Sequence, residues 1–224
     1  MSNAQSGSRL KEITAVLRKH EITKGMTPVK LRLILEDLGP TFIKIGQIMS
    51  LHSDVLPKKY CDELMKLRSD VPPMPFSEVE EVIDGCPWKE VFSDIEKMTL
   101  GSASIAQVHR ATLKSGEKVV IKVQRKGIYD TMARDIGLLH KAVKLVPPIS
   151  IKETVDFSMV LDELWVVTQE EMNFLTEAAN MEEFARRNKD IAFVRTPILY
   201  KEHTTHHVLV MEYIDGYPID DKVS

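Results

Sequence analysis

From Leu10 to about Gly85 the apolar residues recur every three or four positions, as in Leu31, Ile34, Leu35 and Leu38 or in Tyr60, Leu64 and Leu67. That spacing lines one face of a helix, so this stretch predicts a small helical array. Gly39-Pro40 reads as the exit of one helix and the first turn of the next. Leu56-Pro57 and the run Val71-Pro72-Pro73-Met74-Pro75 mark further boundaries, and Ser77 followed by Glu80 reads as a capping box. After Trp88 the period changes. Ile105–Leu113 and Lys118–Val123 read as strands joined by a hairpin turn at Lys114-Ser115-Gly116-Glu117. Gly127–Leu145 and Lys152 to about Arg187 return to helical spacing. Phe193–Tyr200 and His206–Ile214 read as two more strands around a polar turn. The pattern as a whole predicts an α+β fold.

Composition narrows this picture. With 224 residues, 43% hydrophobic and 28% charged, the chain is an ordinary globular sequence, long enough for a substantial core. A net charge of -3 argues against a nucleic-acid partner or an acidic membrane surface. Cys61 and Cys86 match no metal-ligand spacing, so two reduced thiols in a cytoplasmic setting are expected and no metal site is assigned. His203, His206 and His207 are read as a polar turn, and the methionines as core filling. No apolar run has the length of a membrane span, so the chain is expected to be soluble. Met1-Ser2-Asn3-Ala4 reads as the remainder of an expression tag.

The segment Gly101-Ser102-Ala103-Ser104-Ile105-Ala106-Gln107-Val108 keeps the register of the kinase Gly-x-Gly-x-x-Gly-x-Val loop but carries alanine at two glycine positions. In a kinase those glycines bring backbone amides against the ATP phosphates, and an alanine adds a methyl there. A strand start whose small residues merely pack fits equally well. The next strand carries Val119-Val120-Ile121-Lys122, the form of the kinase Val-Ala-Ile-Lys motif. Lys122 is then either a phosphate-neutralising point charge or a lysine on a solvent-facing edge. A kinase pairs that lysine with a glutamate on a downstream helix, and Glu177, followed by Ala178 and Ala179, stands in the matching place. The last strand, Val208–Gly216, has the look of a kinase hinge, where backbone groups from Glu212 to Ile214 would meet an adenine edge.

Leu38-Gly39-Pro40-Thr41-Phe42-Ile43-Lys44-Ile45-Gly46-Gln47, with Asp54–Pro57 and Leu67–Pro73, resembles the Lys-x-Gly-Gln signature and surroundings of the UbiB/AarF kinase-like family. The resemblance spans roughly residues 30 to 221. It implies a protein-kinase-like N-lobe, an antiparallel sheet with an αC-type helix, behind an N-terminal helical extension. The organisation expected is a disordered tag remnant over 1–8, the extension over 9–87, the lobe over 88–216 and, over 217–224, the start of a truncated linker to a missing C-lobe.

The resemblance further implies ATP or ADP with Mg²⁺ as cofactor and support of isoprenoid-quinone biosynthesis. Lipid or quinone-biosynthesis proteins would be partners beside the nucleotide. Lys122, Glu177, Lys44 and Gln47 would be the catalytic residues. Gly101, Ser102, Ala103, Ser104, Ala106, Val108, Lys122, Glu212 and Ile214 would contact the nucleotide. Independently, Lys44 and Gln47 lie one turn apart on one helix face, and Gly46 between them permits a close approach to another element.

Several positions depart from the family. Glu171 and Asn173 stand where the family has Glu-x-Asp, His52 replaces an arginine and Val120 an alanine. His109 belongs to the family's Gln-Val-His run or is simply a strand residue. No stretch resembles the catalytic-loop aspartate or Asp-Phe-Gly, so this chain alone is expected to lack phosphotransfer, with the C-lobe and any membrane segments of the parent beyond it. The alternative function is a nucleotide-independent interaction module, and some self-association is expected from an uncovered cleft floor.

Overall fold

The structure, a computed structural model, describes residues 3–53, 56–67, 71–83, 88–145 and 157–216. Asp54 and Val55, Arg68 to Asp70, Cys86, the boundary at residue 87 and the segment 217–224 lie outside the described residues. The chain divides into two compact units: 1–72, 102–105 and 127–170 in one, and 73–101, 106–126 and 171–224 in the other. Among the described residues no helix is long and apolar enough to cross a membrane.

The first unit is helical. It contains α1 (Asn3–Lys19), α2 (Pro28–Leu38), α3 (Pro40–Met49) and α4 (Lys58–Leu64). Thr27 caps α2 by accepting the Lys30 amide at 3.2 Å, and Pro28 occupies its first turn. Gly39, at φ +92°, closes α2 and opens α3 at Pro40, a conformation that costs glycine little. Ile34, Leu35, Leu38, Phe42, Leu64 and Leu67 form one core between α2, α3 and α4. The other side of α3 presents Ile45 and Ile48 to Ile136, Leu161 and Leu164. These last belong to α7 (Ile128–Leu145) and α8 (Phe157–Glu171). Helix α3 is thus packed on two sides, and Gly46 faces the first core, where an added Cβ would lie 2.4 Å from Leu67 Cδ1 and 2.7 Å from Leu35 Cδ1.

The second unit is built on a sheet of order β1-β2-β3-β4: β1 (Phe92–Ser102), β2 (Ala106–Leu113), β3 (Lys118–Gln124) and β4 (Val208–Glu212). The β2–β3 hairpin turns at Gly116, φ +102°, and pairs Val108 with Lys122 and His109 with Ile121, as the turn residues predict. Strand alternation sends Ala111, Leu113, Val119, Ile121, Val123, Val208 and Val210 to one face. There they pack against Val79 and Ile83 of α5 (Phe76–Ile83) and against Phe92 and Ile95. The short α6 (Trp88–Val91) leads into β1, and α9 (Phe174–Arg187) follows α8.

Four expectations are corrected here. Strand β1 has no counterpart in the sequence pattern: only Phe92 and Ile95 of it are buried, which is not the alternation of a half-buried strand. Phe193–Tyr200 forms no strand beyond the bridge Leu199↔Met211, because Pro197 offers no amide and Phe193 is 92% exposed. The helical stretch ending near Arg187 is interrupted at Met172 and Asn173, where the Asn173 side chain accepts the Leu175 amide at 3.1 Å and starts α9 afresh. Ser77 does not cap α5, which already begins at Phe76 on the Pro75 carbonyl.

Candidate functional site

Lys122 sits on β3 between Ile121 and Val123, whose side chains go to the core, so its own projects from the opposite face. It is not a lysine on an edge, since β3 is flanked by β2 and β4. Glu177 comes from the first turn of α9 and holds the ammonium with both oxygens, at 2.7 and 2.9 Å. The ring of Phe174, itself fully buried, lies 4.9 Å from the same nitrogen. Two neighbours, Glu177 and Phe174, therefore fix a side chain that would otherwise rotate freely. With Lys122 24% and Glu177 36% exposed, the pair remains open to a ligand. Asn173 sets where α9 begins, and hence where Glu177 falls, by its cap on Leu175. An amide serves this role as well as a carboxylate, which accounts structurally for one departure from the family pattern.

The loop differs from a phosphate cradle of open amides. The Gly101 amide donates to the Thr99 hydroxyl at 3.1 Å, and that hydroxyl donates to the Val108 carbonyl at 2.9 Å. A Cβ on Gly101 would meet nothing within 4 Å, so the backbone there is accessible from outside. Ala106 is 2% exposed, and its place two residues before Val108 on β2 turns its methyl to the sheet face that carries Val108 and Lys122. Ser104 is buried and Ala103 half-buried; with Ser102 they group with the helical unit. At the hinge-like segment the Glu212 amide goes to the Ile198 carbonyl (2.8 Å) and the Tyr213 amide to the Lys118 carbonyl (3.0 Å). The Glu212 carboxylate pairs with Arg195 and accepts the Ile198 amide. The amides of Glu212 and Tyr213 are therefore both engaged within the sheet unit.

Lys44 and Gln47 belong to the helical unit, half-buried on α3 one turn apart, and the Gln47 side chain donates to the Leu67 carbonyl at 3.3 Å. His207, read as part of a polar turn, donates from Nδ1 to Gln124 Oε1 at 2.6 Å, and Gln124 Nε2 donates to the Met172 carbonyl at 2.8 Å. This ties β3 to the residue preceding the α9 cap.

The Gln-Val-His run has a structural role that spacing alone did not reveal. Gln107 and His109, each 1% exposed, lie two apart on the inward face of β2. Gln107 Oε1 accepts the Met74 amide at 2.8 Å, and its Nε2 donates to His109 Nε2 at 2.9 Å. His109 Nδ1 must then carry the proton it donates to the Glu96 carbonyl at 2.8 Å. Burial lowers the His109 pKa from its ordinary value, against a smaller opposing effect of the Glu96 bond. The folded state therefore refuses a proton that the unfolded chain takes up below about pH 6.5. Stability is unaffected well above that pH and falls as pH drops from there toward the depressed folded value. Urea unfolding between pH 7 and pH 5.5 should show this fall, with a shallower pH slope in His109→Gln; equal slopes would remove His109 as its source.

The comparisons with known proteins bear on family and fold. Residues 66–224 match the model of the ABC1 atypical kinase-like domain. The chain is 39% identical over 92% of its length to Protein ACTIVITY OF BC1 COMPLEX KINASE 8, chloroplastic, of Arabidopsis thaliana, and covers 27% of that protein. It is 36% identical over 86% of its length to the Probable protein kinase UbiB of Marinobacter nauticus, covering 36% of it. Among solved structures it is similar to the Rv3197–erythromycin complex from Mycobacterium tuberculosis. That match has a TM-score of 0.56 and 29% identity, over 93% of this chain and 52% of the other. The α+β, kinase-like fold expected from the sequence is thus present, and the chain spans well under half of these curated relatives' length. With the family model covering most of the sequence, the chain belongs to the ABC1 atypical kinase-like family.

Proposed function

We propose that the sheet unit carries half of a nucleotide site, and that the whole protein is an atypical kinase or ATPase binding ATP or ADP with Mg²⁺. The observation that carries this reading is the Lys122–Glu177 ion pair, held by α9 and Phe174 on the sheet face opposite the core. Lys122 neutralises the α and β phosphates as a point charge, and Glu177 keeps its ammonium extended toward them. Gly101 offers open backbone at the end of β1, and Val108 and the buried Val120 line the same face as Lys122. Ile214 supplies backbone for the adenine edge. Because the Gly101 amide already has a partner, the phosphate affinity of this unit rests on Lys122 more than on the loop. ATP, when bound with Mg²⁺, supplies the phosphoryl group. Lys44 and Gln47 would modulate or assist the reaction, and the physiological role that follows from this reading is support of isoprenoid-quinone biosynthesis.

Mg-ADP titrated into this chain should raise its melting temperature by about 5–10 °C at a hundredfold excess over Kd, because only the folded state binds. Lys122→Ala and Glu177→Gln should abolish most of that rise. An equal rise in Lys122→Ala would overturn the role of the lysine, and no rise in the unsubstituted chain would favour a second reading. That reading, an interaction module, is favoured by the exposure of Phe193 (92%), Ile198 (58%) and Phe184 (52%) on the sheet unit.

A further inference from the structure

Within the helical unit a cavity of about 210 Å³ is lined by Ser8, Arg9 and Glu12 of α1 and by Thr131 and Arg134 of α7. The two arginines differ in their surroundings. Arg9 donates to both oxygens of Asp135 at 2.8 Å, to the Leu38 carbonyl at 2.6 Å and to Glu12 at 2.8 Å, so its charge is compensated. Arg134 has no carboxylate partner among the described residues. Its Nη2 donates to the Thr131 hydroxyl at 3.2 Å, and its Nε is buried with no hydrogen-bond partner. A buried guanidinium N–H without an acceptor is costly, and in a native structure points to a missing partner. Since Thr131 Oγ1 accepts from Arg134, its own proton is free to be donated. The guanidinium fork and the hydroxyl together present several donors and one uncompensated positive charge.

We propose that this cavity is a binding site for a phosphate-type oxyanion, separate from the nucleotide half-site in the sheet unit. The volume is several times the ~30 Å³ of a water and accommodates a phosphoryl group. A planar fork beside a hydroxyl suits a tetrahedral anion with several acceptor oxygens better than a single-point acceptor. Glu12, 56% exposed at the rim and tied to Arg9, opposes an anion only weakly because water screens it. The phosphate could belong to a soluble phosphomonoester or to a lipid headgroup, and the chemistry recognised is the same.

Isothermal titration at constant ionic strength, with inorganic phosphate and with glycerol 3-phosphate, tests the site. Sedimentation with phosphatidylcholine vesicles, with and without phosphatidylglycerol, tests the lipid source. Saturable binding should appear in at least one arm and weaken about tenfold or more in Arg134→Gln. Glu12→Gln, which removes the rim's negative charge, should tighten it about twofold to fivefold. The opposite signs distinguish a site from a folding defect, which would weaken both variants. Equal affinity in Arg134→Gln, or no saturable binding in any arm, overturns the proposal; neither result bears on Lys122.

Discussion

Asp135→Ala should lower the stability of the helical unit by about 3 kcal/mol, seen as a melting temperature roughly 6–12 °C lower. Asp135 is fully buried and takes two hydrogen bonds from Arg9, whose side chain is only 12% exposed. The pair links α1 to α7, and the same guanidinium donates to the Leu38 carbonyl near the end of α2, so three helices meet at one side chain. The Asp135 hydrogen bond is the largest cause holding the Arg9 guanidinium above its ordinary pKa, so Arg9 stays charged at any relevant pH. Removing the carboxylate strands that charge in a poorly hydrated place, which is why the expected loss far exceeds that of a surface pair. Lys19→Ala, which breaks a pair whose lysine is 65% exposed, should cost less than about 1 kcal/mol. Because Asp135 is shielded, added salt should not reproduce its loss. A fall below about 1 kcal/mol in Asp135→Ala, measured by urea unfolding, would mean that Arg9 finds other partners and the junction is not the structural centre inferred here.

What could be read from the sequence divides along physical lines. Local chemistry was legible: Gly39-Pro40 as a helix junction, Gly116 as a hairpin turn, and the β2 and β3 strands on either side of that turn. The Lys122 and Glu177 pairing was legible for a different reason, since the motif spacing fixes a contact 55 residues apart that no periodicity encodes. Strand β1 escaped because most of its residues are exposed and leave no alternating trace. Phe193–Tyr200 misled because Phe193 and Ile198 stand in the open and Pro197 offers no amide, although Tyr200 packs on the core. The Arg9–Asp135 contact, 126 residues apart, carries no local signal at all: each residue alone reads as a charged position on a helix face. The Gln107–His109 relay was half legible, as a motif without a mechanism, until the Met74 and Glu96 backbone groups were brought against it.

Gly46→Val should cost about 3 kcal/mol in the same unit, because the position has no room for a branched side chain. A glycine inside a helix is itself unfavourable by about 1 kcal/mol relative to alanine, so its presence in the middle of α3 requires a compensating contact. That contact is the approach of Leu67 and Leu35, whose terminal methyls fall 2.4 and 2.7 Å from where a Cβ would lie. Both leucines are buried in the core with Leu64, so neither can swing away without opening space elsewhere. Alanine is the informative intermediate: its propensity gain of about 1 kcal/mol offsets part of an overpacking cost of about 1–3 kcal/mol, so Gly46→Ala should be only mildly destabilising. Valine adds two further methyls and gives back part of alanine's propensity gain. Leu67→Ala placed in the Gly46→Val background should recover part of the loss, with a coupling of at least about 1 kcal/mol in a double-mutant cycle. Additive effects would show that α3 shifts as a body to admit the new side chain. In that case the positions of Lys44 and Gln47, which flank Gly46 on the same helix, would not be set by its close packing on Leu35 and Leu67.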